Sequence, residues 1–274
     1  MIIMTLISPS GPRTATIMAL ALALWGSLPP HADRPPHNRD SNGVMQESEE
    51  LIYEVSWTVI KLGTIRIKTF RDYRAEAHID SYDGIPFVDL HSIHYCTMDS
   101  NFFSLGSRSI DKKENEWRGI EYIYDLAHRI LTVEETFRSD PQLPPVRQRI
   151  LDTLRLNSDT VVDGLSIAYF PRSLIHTKQT VNVPTVLYGK IGITTYRFTD
   201  IKSEETIGAL DRPVRVVELD GSTTAEGLYG MTGEFRGWFS DDAAAVPIKG
   251  KLKVLIGNVT VELVGWHRSG WAPP

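Results

Sequence analysis

Apolar and polar residues alternate with a period of two along most of the chain, and the clearest run lies near the C-terminus. Val246, Ile248, Leu252 and Val254 alternate there with Pro247, Lys249, Lys251 and Lys253. An extended segment with this pattern has one apolar face and one lysine face. Each buried aliphatic side chain is worth about 1.5–3 kcal/mol, and a one-residue slip would bury the lysines, so the register is well specified. Gly233 to Phe239 also alternates, Ser240-Asp241-Asp242 supplies turn-forming side chains, and Asn258 to Leu263 follows a turn at Ile256-Gly257. The stretch from Leu228 to Trp266 therefore predicts three β-strands and both of their turns.

The same period recurs upstream. Tyr53, Val55, Trp57 and Val59 alternate with Glu54, Ser56 and Thr58, and Lys61-Leu62-Gly63 predicts the turn into a partner strand carrying Ile65 and Ile67. Further strands are predicted at Ala75 to Asp80, Phe87 to Met98, Arg108 to Asp111, Trp117 to Tyr124 and Ile130 to Phe137. Turns are predicted at Asp83 to Pro86, Lys112 to Asn115 and Asp125 to His128. The pattern then stops. Val146, Ile150, Leu151 and Leu154 have helical spacing, but Asp140-Pro141 and Pro144-Pro145 precede them, so a helix and a covering loop both fit. Gly164 to Phe170 follows Asp163, a good N-cap residue, and predicts a short helix that is apolar all round and therefore buried, ended by Pro171. Strands resume at Thr180 to Leu187, Lys190 to Asp200, Glu204 to Leu210 and Val214 to Leu219, where Asp220-Gly221 marks a separation. The predicted fold is mainly β, a long antiparallel meander forming a curved sheet or unclosed barrel around one buried short α-helix.

Arg13 followed by the apolar run Ile17 to Trp25 reads as an export signal over residues 1–32, too short to span a membrane. Residues 33–49 are rich in proline and polar side chains and read as a flexible linker. A single β-rich domain is expected over 50–266, with a helical or loop insertion at about 138–176, and a tail over 267–274. No cysteine follows the apolar run, so a lipid-attachment site is absent from that place. Cys96 is the only cysteine, which excludes an intramolecular disulfide. The expected location is the periplasm or outside the cell, with no transmembrane segment in the mature chain. A net charge of −5 argues against nucleic-acid binding. The lysine row at 249, 251 and 253 reads as a solvated strand face, with an anionic headgroup contact as the other reading.

Candidate chemistry is sparse. His94, Cys96 and Met98 share a strand face, as soft-metal ligands would. Val88 and Leu90 share it too, so the core reading is preferred and no metal or cofactor is assigned. His91 and His94, three apart on a strand, point to opposite faces. Asp241 and Asp242 read as turn residues, and Asn258-Val259-Thr260 as a chance glycosylation match. No nucleophile elbow, zinc-protease motif or phosphate loop occurs. No enzyme activity is therefore assigned; His91, His176 and Asp89 are the places where converging polar groups would first be sought.

Tyr53-Glu54-Val55-Ser56-Trp57 with Gly63-Thr64, Leu165-Ser166 with Tyr169 and Arg172, and Gly237-Trp238-Phe239-Ser240-Asp241-Asp242 before Val246-Pro247-Ile248 together resemble the exported bacterial family called domain of unknown function 3108. The trailing Gly257-x-Val259-Thr260-x-Glu262-Leu263 fits as well, and the likeness spans most of Leu51 to Val264. It implies an exported β-protein, similar in outline to unclosed barrels of lipoprotein carriers, and no catalytic residues. Two readings follow. One is a non-catalytic protein that holds a hydrophobic or lipidic ligand in the concavity of its sheet, lined by Trp57, Leu165, Tyr169, Phe170, Phe235 and Leu252. The other is a structural or protein-interaction component of the cell envelope without a small ligand. Core packing predicts several kcal/mol lost for Trp57→Ala and for Leu252→Ala, and little for Lys251→Ala.

Overall fold

The computed structural model describes residues 41–274 apart from 86–88, 114–115, 226–232 and 255–256. Residues 1–32, read above as an export signal, residues 33–40 of the expected linker, the strand start at Phe87 and part of the Leu228 stretch lie outside the described residues. A one-turn helix α1 (Ser41–Val44) precedes β1 (Glu49–Trp57), β2 (Ile60–Thr69), β3 (Arg74–Ser81), β4 (His91–Met98), β5 (Ser104–Lys113), β6 (Glu116–Asp125), β7 (Ile130–Arg138) and β8 (Arg147–Arg155). A crossing segment holds β9 (Val162–Asp163), α2 (Ser166–Tyr169) and a 3-10 turn, Phe170–Ser173. Then follow β10 (Gln179–Leu187), β11 (Lys190–Glu205), β12 (Val214–Thr223), β13 (Gly233–Ser240), β14 (Pro247–Lys253) and β15 (Asn258–Arg268).

All fifteen strands form one sheet, in the order β8 back to β1, then β15 back to β9. Every pairing is antiparallel except β9 with β10. The fold is thus mainly β, as the alternation predicts. The pairing of β1 with β15 joins the two halves of the chain. The sheet curls until its ends approach, because Leu131 and Val133 of β7 share one core cluster with Val161 and with Val186 of β10. It remains unclosed, and residues 156–161 bridge its two ends.

The segment after that bridge is the plug inside the curve. Tyr169, Phe170, Leu174 and Ile175 are buried among Phe102, Phe103, Tyr196 and Phe198. Their rings form two groups, one with Phe103–Phe170 at 5.3 Å and Phe170–Tyr196 at 5.4 Å, the other with Phe102–Tyr169 at 6.1 Å between centroids. Pro171 ends the α-helix after one turn, as expected, and opens the 3-10 turn. A second cluster, with Val246, Ile248, Tyr53, Leu263 and Trp238, lies where β1 meets β12–β15.

Several expected boundaries move, each for a local reason. The first hairpin turns at Thr58, whose φ is 54°, and not at Lys61-Leu62-Gly63. Gly63 sits in β2, where a Cβ would fall 2.2 Å from the Asp80 carbonyl oxygen, so the glycine serves close strand approach. Asp220-Gly221 lies inside β12, where a Cβ on Gly221 would strike the Phe235 ring at 2.2 Å. Residues 147–155 form an edge strand, neither helix nor loop: Leu151 is an extra residue between the pairs Val133–Asp152 and Glu134–Ile150, and this bulge breaks the period of two. Glu204 to Leu210 is not a strand of its own. It is the end of β11 and a loop laid over the convex face, with Gly208 N–H donating to Glu262 Oε1 at 2.9 Å and Ile207 buried. The linker is ordered from α1 onward, with Val44 and Met45 in the core. The tail is docked: Trp271 Nε1 donates to Asp242 Oδ2 at 2.8 Å, and Arg215 N–H donates to the Pro274 carbonyl at 3.0 Å.

Candidate functional site

Two buried polar nodes pin the plug. At its start, the Asp163 carboxylate accepts from Ser104 Oγ at 2.6 Å, Ser107 Oγ at 2.6 Å and Tyr124 Oη at 2.5 Å, with Cys96 Sγ at 3.8 Å. Asp163 does not cap the helix. Gly164 turns the chain at φ 36°, the N-cap position falls on Leu165, and the first half of the sheet takes the carboxylate. Burial raises the Asp163 pKa above the usual carboxylate value, and the hydroxyl donors offset only part of this. At the plug's far end, Arg172 Nη1 and Nη2 both bond the Glu49 carboxylate, and Arg172 Nη2 also donates to the Ala244 carbonyl at 2.9 Å. Arg268 Nη1 reaches the same carboxylate at 2.7 Å. Burial pushes the Glu49 carboxyl up, but the two arginines outweigh it and hold its pKa below the usual value. Tyr169 Oη bonds Thr69 Oγ1, and Tyr196 Oη donates to the Ile167 carbonyl at 2.9 Å.

On the concave face, toward the end of the barrel opposite the plug's Glu49–Arg172 anchor, the strand register lines up an apolar row across five neighbouring strands. Phe235 pairs with Leu252, Leu252 with Val259, Val259 with Trp57 and Trp57 with Ile60. Residues directly opposite in antiparallel strands share a face and touch, so the five side chains form one strip. At about 4.8 Å per strand the strip is about 19 Å long. Among the described residues nothing closes it over. Phe235, Leu252 and Val259 are half-buried, Trp57 is 36% exposed and Ile60 45%. The next row inward reads Gly63, Val55, Val261, Gly250 and Gly237. A Cβ added at Gly250 would meet nothing within 4 Å, so a trough opens above the row at this point, while at its two ends a Cβ on Gly237 or Gly63 would strike the Phe239 ring or the Asp80 carbonyl. A third row, with Tyr53 and Leu263, is fully buried and ends the trough.

The six residues proposed from sequence to line a ligand thus fall into two groups. Trp57, Phe235 and Leu252 lie in the strip. Tyr169 and Phe170 are buried core of the plug, with Leu165 half-buried beside them, so these three pack the interior instead of lining a free surface. Tyr196 joins the groups, with Phe235 edge-on at 5.9 Å and Phe170 at 5.4 Å. Sequence reasoning missed Tyr196, Val259 and Ile60; the alternation flags each as apolar, but only the register places them in line. It also missed Asp163 as a buried acceptor, for which the sole signal was a carboxylate within an apolar run.

The remaining candidates resolve separately. His94 Nε2 bonds Ser92 Oγ at 3.1 Å, while Cys96 Sγ turns to Asp163 and Met98 is buried. Among the described residues no group of three or more His, Cys, Asp or Glu side chains could hold a metal ion. Burial lowers the His94 pKa to about 4 and raises that of the Cys96 thiol well above its usual value. His91 lies on the opposite face, between Asp80 Oδ1 at 2.8 Å and Asp89 Oδ1 at 3.5 Å. His176 stands elsewhere, with Nε2 3.2 Å from the Asp242 carbonyl, so the three residues set aside for a polar site do not converge. Asp241 and Asp242 diverge as expected. Asp241 meets Lys202 at 3.0 Å, and Asp242 accepts the turn N–H groups of Ala244 and Ala245.

The fold is that of a β-barrel-like protein, one unclosed fifteen-stranded sheet around an internal segment. A crystal structure of a beta-barrel-like protein of domain of unknown function DUF1849 from Brucella abortus is similar to it, with a TM-score of 0.51 at 9% identity over 82% of this chain and 99% of that one. At that identity the likeness shows the fold alone. No family model matches the chain, so the resemblance to domain of unknown function 3108 is not shown, and no curated protein matches it. No helix among the described residues is long and apolar enough to cross a membrane.

Proposed function

We propose that this is an exported, non-catalytic protein that holds an apolar ligand, such as the acyl chain of a lipid, along the strip Phe235–Leu252–Val259–Trp57–Ile60. The observation that carries the reading is the trough itself: half-exposed apolar side chains in register over a floor where Gly250 leaves open space. Apolar side chains left half in water gain about 25 cal/mol for each Å² a ligand covers, and a concave, mainly apolar site is the usual form of a small-molecule pocket. Export is supported by Arg13 and the apolar run Ile17 to Trp25 in the sequence. The pinned plug supports a fixed trough, because its polar nodes and ring contacts hold the wall behind Phe235. The test is organic extraction and mass spectrometry of protein recovered from its own host. Wild type should release a stoichiometric lipid or other apolar compound. Gly250→Leu, which fills the trough at a backbone position without strain, should fold normally and release little. A clean wild-type extract would reject the reading.

A second reading, a protein-interaction component of the envelope, is favoured by β8. This nine-residue strand ends the sheet and leaves Ile150 and Leu151 exposed, with Val146 exposed just before it, and a free edge of that length is a place where another chain can add a strand. A stable protein partner in a pull-down from envelope extract, lost on Ile150→Lys, would support it.

A further inference from the structure

The strip ends in water at an unusual place. The β1–β2 turn presents Val59 at 92% exposure, flanked by Trp57 and Ile60, and the turn is held in position because Thr58 N–H donates to the Asn258 carbonyl at 3.1 Å. Gly257 packs beneath it; a Cβ there would lie 2.6 Å from Thr58 Cγ2. The surroundings are lysine-rich: Lys61 and Lys253 have side chains 67% and 72% exposed, and Lys251 is exposed one pleat further along β14. Glu54 and Glu234 face two of these three lysines, at 2.8 Å and 3.6 Å. The tip therefore combines an aliphatic apex, a tryptophan at its shoulder and lysines behind it. This is the order in which a bilayer presents acyl chains, interface and anionic headgroups.

We infer that the β1–β2 tip docks on an anionic lipid surface, with Val59 and Ile60 entering the acyl boundary, Trp57 at the interface and Lys61, Lys251 and Lys253 against headgroup phosphates. The occupant is a bilayer and not a protein, because the apex is a narrow turn that offers no flat area or strand edge to a folded partner. Trp57 belongs to both the tip and the strip, so docking would set the open end of the trough against the membrane. The inference draws on the ligand reading for its purpose, and its physics stands alone.

The experiment is flotation of the full chain with vesicles of phosphatidylcholine alone and of phosphatidylcholine mixed with phosphatidylglycerol, comparing wild type with Val59→Asp and with the pair Lys61→Glu and Lys253→Glu. Any contribution from residues 1–32 is common to all three. Wild type should float with the mixed vesicles. Val59→Asp, at a solvent-exposed position that leaves the fold intact by circular dichroism, should reduce the bound fraction about tenfold. The charge-reversed pair should lose binding to mixed vesicles. Equal flotation of Val59→Asp and wild type, or wild-type binding indifferent to phosphatidylglycerol, would overturn the inference. Ligand extracted from the same preparations separates the two proposals: an empty trough with Val59-dependent flotation removes the ligand reading and leaves docking standing.

Discussion

Glu49 and Arg172, 123 residues apart in the chain, form a buried ion pair, with Arg172 Nη2 3.1 Å from Glu49 Oε2. The pair ties the first residue of β1 to the plug, and Arg268 from the last strand completes it at 2.7 Å. Removing Glu49 leaves two buried arginines facing one another without their carboxylate, which costs about 3–5 kcal/mol, whereas removing Arg172 leaves Glu49 paired with Arg268. Glu49→Leu should therefore lower stability by about that much in urea denaturation, and Arg172→Met by less. The double variant Glu49→Leu with Arg172→Met should cost clearly less than the sum of the two singles. Additive losses would mean the two charges act independently. Because the Glu49 pKa is lowered in the folded state, this contribution is present above the unfolded value, about 4.3, and fades as pH falls through the folded one.

His94 adds a second acid sensitivity. Its imidazole is kept neutral by burial, with a folded pKa of about 4 against about 6.5 unfolded. The unfolded chain binds the proton more readily in that interval, so stability should fall as pH drops from 6.5 to 4, by about 2–3 kcal/mol. In His94→Gln that part of the slope should vanish. Parallel pH profiles for wild type and variant would contradict the buried, neutral assignment.

Asp163 works in the other direction. Its folded pKa is raised, so the folded state holds the proton more tightly and loses stability as pH rises from about 3.9 through the folded value. The advantage of wild type over Asp163→Asn should therefore be largest in acid and shrink with rising pH. Denaturation of both proteins across that range checks the sign; an advantage that grows with pH would show that the hydroxyl donors outweigh burial.

Val246 and Ile248 are fully buried, whereas Leu252 on the same strand is half-buried and Trp57 lies at the trough's rim. The several kcal/mol expected from sequence for Trp57→Ala and Leu252→Ala is thus too large. Ile248→Ala should cost about 2–5 kcal/mol, Leu252→Ala and Trp57→Ala distinctly less, and Lys251→Ala little. The same thermal or urea melts rank all four, and a Leu252 loss equal to that of Ile248 would mean the trough is closed.

The strands were legible because their signal is local: alternation at Tyr53–Trp57 or Val246–Lys253 follows from a two-residue repeat with one face in the core. The short apolar helix before Pro171 was legible for the same kind of reason. What resisted reading depends on contacts between distant segments. Gly63 and Gly221 look like turn glycines in sequence, and only the neighbouring Asp80 carbonyl and Phe235 ring show that they serve close packing. The bulge at Leu151 hides a strand because one extra residue shifts the period.

The chain by itself determined which residues extend, which faces are apolar and where one helix interrupts them, since side-chain alternation and proline geometry act over a few residues. Tertiary structure alone decided that Trp57, Leu252 and Phe235 stand in one open row while Tyr169 and Phe170 fill the interior, and that Asp163 and Glu49 become buried anchors. Burial and register are properties of strands brought together from opposite ends of the chain, and no local pattern encodes which of two equally apolar side chains meets a neighbour and which meets water.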